Sequence, residues 1–138
     1  MKLLNIYGKI VSKNVSKYAI KWDEPSRSKI QFQIKQFLKQ YWKNQIVFEE
    51  FPVFGSRMKV DILNVTSKIA VEVNGSQHSK YNKFFHGKSR LNYLRGIKRD
   101  VAKEAWLTLN QFTLVEIFDN EVNLVDHQFF KDKYNISL

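Results

Sequence analysis

Two acidic residues stand inside otherwise apolar strand-like segments, and they constrain the fold of this chain more than any other feature. Residues 61–78 read DILNVTSKIAVEVNGSQH. Short β-branched runs predict strands over residues 58–64 and 68–73, joined by Val65-Thr66-Ser67, with Asp61 in the first and Glu72 in the second. An unpaired charge inside a hydrophobic strand is costly, so acids in such places are paired or hold a cation. Two carboxylates on adjacent strands supply the hard oxygen ligands that Mg²⁺ or Mn²⁺ prefers.

The elements around this pair set its frame. Residues 3–22 alternate loosely, and residues 1–27 are expected to form an N-terminal arm or hairpin. Ser28 is the expected N-cap of a helix over residues 29–43, whose Ile30, Ile34, Phe37, Leu38 and Tyr41 recur at helical spacing. Lys35, Lys39 and Lys43 are expected on the opposite face. A strand over 46–53 and a turn at Gly55-Ser56 lead into the two acidic strands, giving a three-stranded antiparallel meander. Residues 75–88 read as a loop. A helix is expected over about 90–110, with Gly96 as a possible break and Val101, Trp106 and Leu109 toward the core. A short strand at 112–118 and a closing segment over 119–138 complete one domain, residues 1–138. The predicted class is α/β (α+β): a central mixed sheet flanked by helices, in the order αβββαβ over residues 28–118.

Composition narrows the function. Lysine and arginine number 23 against 13 acids, a formal charge of +10, which favours polyanionic partners. Basic residues interleave with aromatics around Lys80, Tyr81, Lys83, Phe84, Phe85 and Lys88, a pattern that suits nucleic acid. There is no cysteine, which excludes disulfides and thiolate metal sites. No apolar run approaches the length of a membrane span, and no signal pattern opens the chain, so a soluble, intracellular (cytoplasmic) protein without a membrane partner is expected. No Gly-rich phosphate loop, zinc spacing or Ser-His-Asp order stands out, which argues against nucleotide hydrolysis and acyl transfer.

With Asp61, Glu72 and the run Glu72-Val73-Asn74-Gly75-Ser76-Gln77-His78, the chain resembles the PD-(D/E)xK nuclease superfamily, closest to the small very-short-patch-repair-like endonucleases. The resemblance implies a restriction-endonuclease-like core and a Mg²⁺ or Mn²⁺ ion held by Asp61, Glu72 and the backbone of Val73. Glu50, or in its place Glu49, is a candidate third carboxylate. The chain departs from the family at Asn74, which stands where the family's lysine would be, and at Gln31, near the position where the first helix often carries an acid. Lys103, Lys59 and His78 are candidate substitutes for the missing lysine. Arg95, Arg99 and Lys103 recur every four residues on the second helix, forming a stripe that can follow a phosphate backbone.

The expectation is a divalent-metal-dependent DNA endonuclease. It would act on structured or branched DNA, as a homodimer or with a targeting partner. The competing expectation is a nuclease fold without activity that binds nucleic acid or a protein.

Overall fold

The structure, a computed structural model, describes the backbone of residues 1–74 and 88–138, and the side chains of residues 1–74 and 98–138. Its centre is a four-stranded sheet in the order β3 (Val47–Pro52), β4 (Lys59–Asn64), β5 (Ile69–Asn74), β6 (Thr113–Phe118). The first three strands form an antiparallel meander, as the sequence predicts, and β6 joins β5 in parallel. A parallel partner needs a crossover, and helix α2 (Lys88–Leu109) lies on that connection. Its backbone runs through Gly96 without a break.

Helix α1 (Lys29–Trp42) begins where the sequence places it, with the Ser28 hydroxyl accepting the Gln31 N–H at 3.1 Å. The apolar face of α1 packs Ile34, Leu38 and Trp42 against Ile62, Val71, Val115 and Ile117. A short helix α3 (His127–Tyr134) adds Phe130 to that layer. The other core joins Trp106 and Leu107 of α2 to Phe48, Phe51, Leu63 and Ala70. The sheet is thus covered on both faces, which is why its central strands carry apolar residues at consecutive positions.

The N-terminal arm is a hairpin, β1 (Lys2–Leu4) and β2 (Ile10–Ser12), paired antiparallel in a separate two-stranded sheet. Gly55 is required where this hairpin meets the main body. Its φ is +90°, and a Cβ there would meet the Ile6 side chain at 3.0 Å.

Two expectations are corrected. Lys35 is not on a solvated face: it is fully buried, because its ammonium is bonded to Glu49 at 2.9 Å and to the Glu24 carbonyl at 2.7 Å. Val101 and Leu109 are exposed rather than core, since the buried stripe of α2 runs through Trp106 and Leu107.

Candidate metal centre

The register of the sheet brings acids together. The pairs Ile62↔Val71, Leu63↔Ala70 and Asn64↔Ile69 put Asp61 next in line opposite Glu72, and Glu72 is itself paired with Glu116 of β6. On the other side of β4, the pairs Glu49↔Ile62 and Phe51↔Val60 bracket Glu50 and Asp61. Four carboxylates, at 50, 61, 72 and 116, therefore occupy one row across four strands.

Between β4 and β5 the backbone ladder stops at Ile62↔Val71. Beyond it, side chains take over the hydrogen bonding. Glu72 Oε2 accepts the Asp61 N–H at 3.0 Å, and Asp61 Oδ2 accepts the Val73 N–H at 2.8 Å. This reciprocal exchange satisfies two buried backbone donors that the diverging strands would otherwise leave unpaired. It also fixes both carboxylates in the cleft between the strand ends.

Cations approach the pair from both sides. The Lys103 ammonium, on α2, bonds Glu72 Oε1. Arg27, one residue before the α1 N-cap, reaches Asp61 Oδ1 at 3.3 Å and lies 3.9 Å from Glu50. Burial pushes the Asp61 carboxyl up from its ordinary 3.8 to about 7, and the Glu72 charge beside it adds to the rise. The Val73 amide and Arg27 pull in the opposite direction without cancelling it.

Glu50 has a backbone φ of +52°, uncommon for a residue with a side chain. Phe48 and Phe51, three residues apart, nevertheless join the same core cluster with their rings 5.2 Å apart. Regular alternation would send them to opposite faces, so the strand turns over at Glu50. Glu49, two residues after Val47, faces α1 by ordinary alternation, and both acids join one polar network. Glu49 accepts from Lys35, from Ser26 Oγ at 2.6 Å and from Gln31 Nε2 at 2.9 Å. Glu50 accepts from the same Gln31 nitrogen at 3.1 Å. Gln31 Oε1 is buried without a hydrogen-bond partner among the described residues.

The other predicted residues are placed as follows. Asn74 donates to Glu116 at 3.2 Å and so supplies no positive charge. Arg99 and Lys59 are exposed. His78, Lys80 and Lys83 lie outside the described residues, as do the side chains of Lys88 and Arg95. Three participants escape a reading of the sequence: Arg27, Glu116 and the Lys35–Glu49 pair. Glu116 carried a readable signal, since FTLVEIF places an acid in an apolar strand just as the Asp61 and Glu72 segments do.

The donor set suits a divalent cation. Two hard carboxylates are held close in a buried place where their mutual repulsion favours a proton or a cation between them. Among the described residues no group of three or more His, Asp or Glu side chains gathers around one point. The described protein thus offers the Asp61–Glu72 pair, with Glu50 turned to Gln31 and Arg27 instead.

No family model matches the chain, and no solved structure matches it. Over 75 residues, 54% of the chain, it is 31% identical to an uncharacterized protein, 033L, of Invertebrate iridescent virus 3. The match spans 38% of that viral protein's length.

Proposed function

We propose that this chain is a divalent-metal-dependent nuclease that hydrolyses phosphodiester bonds in DNA. The observation that supports the reading most is the reciprocal exchange at the β4 and β5 ends, which holds Asp61 and Glu72 together beside the Lys103 ammonium. Asp61 and Glu72 hold the ion, Mg²⁺ or Mn²⁺, next to the Val73 backbone. An ion held there would supply Lewis-acid chemistry, polarising the scissile phosphate and lowering the pKa of an attacking water. Lys103 brings to Glu72 the positive charge that Asn74 lacks, and it offsets charge developing on the phosphate. Arg27, two-thirds exposed with its guanidinium at Asp61, can turn from the carboxylates to a phosphate oxygen once a cation neutralises them. The net charge of +10 draws the polyanion in.

Supercoiled plasmid incubated with the wild type should be nicked in Mg²⁺ or Mn²⁺ and remain intact in EDTA. Glu72→Gln, which keeps the acceptor for the Asp61 N–H, should leave it intact in both. Cutting in EDTA, or equal cutting by Glu72→Gln, would refute the assignment. A second reading, an inactive nuclease fold that binds nucleic acid, rests on Asn74, whose amide is held by Glu116 where the superfamily places a lysine. Metal-independent DNA binding without any cutting would favour it.

A further inference from the structure

We infer that the β1–β2 hairpin is a second DNA-binding element, which seats in the major groove of the duplex flanking the cleavage site. The inference deepens the nuclease reading by assigning how the substrate is gripped. Residues 1–22 contain five lysines, at 2, 9, 13, 17 and 21, and no acid, whereas all 13 acids of the chain follow. All five lysines are exposed. Lys21 pairs with Glu24, but Lys2, Lys9, Lys13 and Lys17 form no ion pair among the described residues. Lysines that were merely balancing the fold's acids would be distributed among them. These are segregated on the hairpin and the segment that follows it to residue 21, the footprint of a phosphate-binding surface.

The hairpin tip is apolar as well as basic. Tyr7 is 74% exposed and so is Ile10, with Lys9 between them. Lys2 pairs with Ser12 and Leu4 with Ile10, so Lys2, Ile10 and Ser12 share the outward face while Leu3 fills the core. A two-stranded ribbon fits a B-DNA major groove, with lysines at its margins for phosphates and apolar side chains for base edges and thymine methyls.

The element is also built to hold its shape. Asn5 Oδ1 accepts the Tyr7 N–H at 2.9 Å and the Lys9 N–H at 3.0 Å, and Gly8 takes the positive φ that the turn needs. At the turn end of the strands, Trp106 donates to the Leu4 carbonyl at 2.7 Å, Asn110 accepts the Leu4 N–H at 2.8 Å, and the Ile6 N–H bonds the Phe54 carbonyl at 2.9 Å, so the ribbon lies anchored on the body with its other face outward. Trp106 lies one helical turn from Lys103, so one helix connects the hairpin to the acid pair. A preorganised ribbon loses little entropy on binding.

The test is fluorescence anisotropy on a labelled duplex of roughly 30 base pairs, about three helical turns, in EDTA so that the cation site is silent. Lys2→Glu/Lys9→Glu/Lys13→Glu changes exposed side chains only, and its unfolding midpoint should stay close to the wild type. Its affinity should drop at least ~10-fold at about 0.15 M salt, and the slope of log K against log salt should shrink by about 3, near 0.9 for each phosphate no longer neutralised. Tyr7→Ala should weaken binding about fivefold with the slope unchanged, because an aromatic side chain releases no counterions. Wild-type affinity and slope in the triple variant would overturn the inference, as would failure of the wild type to bind duplex DNA. Plasmid cutting is read separately. A hairpin that binds in EDTA survives a failed cleavage assay, and cutting that persists in a triple variant binding like wild type sinks the hairpin alone.

Discussion

Asp61→Asn is expected to lower metal-dependent cleavage by about 10³-fold or more, since a Lewis-acid cation is worth several kcal/mol in the transition state and each ~1.4 kcal/mol is tenfold in rate. The same substitution should stabilise the metal-free protein at pH 8. The native Asp61 carboxyl binds its proton up to about pH 7, whereas an ordinary one releases it near 3.8. Between those values the folded state holds the extra proton, so the stability this group contributes is complete below about pH 4 and is lost as pH rises through 7. Above that range, charge buried beside Glu72 costs on the order of 4 kcal/mol, each pH unit between the two values being worth ~1.4 kcal/mol. Asparagine keeps an acceptor for the Val73 N–H and carries no charge, so it removes the cost. Urea unfolding at pH 5 and pH 8 checks the claim. The wild type should lose stability between them and Asp61→Asn should not. A variant that is less stable than wild type at pH 8, or that still cuts, contradicts the site.

Lys35→Met is expected to destabilise the fold by about 3–5 kcal/mol, because it strands Glu49 in a poorly solvated place. Lys35 is fully buried, and the two oxygens of Glu49 are shared among Lys35, Ser26 and Gln31. Two partners of that network, Ser26 and the Glu24 carbonyl, belong to the segment that carries Arg27 to Asp61. Breaking it should therefore loosen Arg27 as well. Lys35→Met/Glu49→Leu should recover most of the loss, because replacing both members leaves no orphan charge. Chemical denaturation of the two variants measures this. A loss below about 1 kcal/mol in the single variant would show that water solvates Glu49 and that the network contributes little.

The sequence showed most of the frame and half of the centre. Ser28, Ile34 and Leu38 marked α1, and the β-branched runs around Asp61 and Glu72 marked two strands, because capping chemistry and hydrophobic periodicity are local signals. The apposition of those acids was legible for the same reason, once two strands joined by three residues had to pair antiparallel. Lys35 was misread because lysine spacing on a helix looks the same whether its ammonium meets water or a buried carboxylate. Its partner Glu49 lies 14 residues on, on the side of β3 that Val47 turns toward α1, and that apposition is set by tertiary packing. Arg27 was overlooked because it lies 34 residues from Asp61 in a turn whose path is set by the tertiary network. Val101 and Leu109 show the converse: apolar identity in a helix does not decide which stripe is buried.

The parallel pairing of β5 with β6 has a bearing on how the protein assembles. The meander can form from neighbouring segments, but β6 reaches its place only after α2 has carried the chain back. Until then the strand IAVEVN has an open edge, and its apolar side chains could recruit a second copy. The charge of Glu72 interrupts that edge, acting as a gatekeeper during assembly. Refolding yield should accordingly fall with protein concentration for Glu72→Val and stay at the wild-type level for Glu72→Asp; equal yields would remove this role. A carboxylate at the centre of the acid row would then also keep the nascent sheet from polymerising.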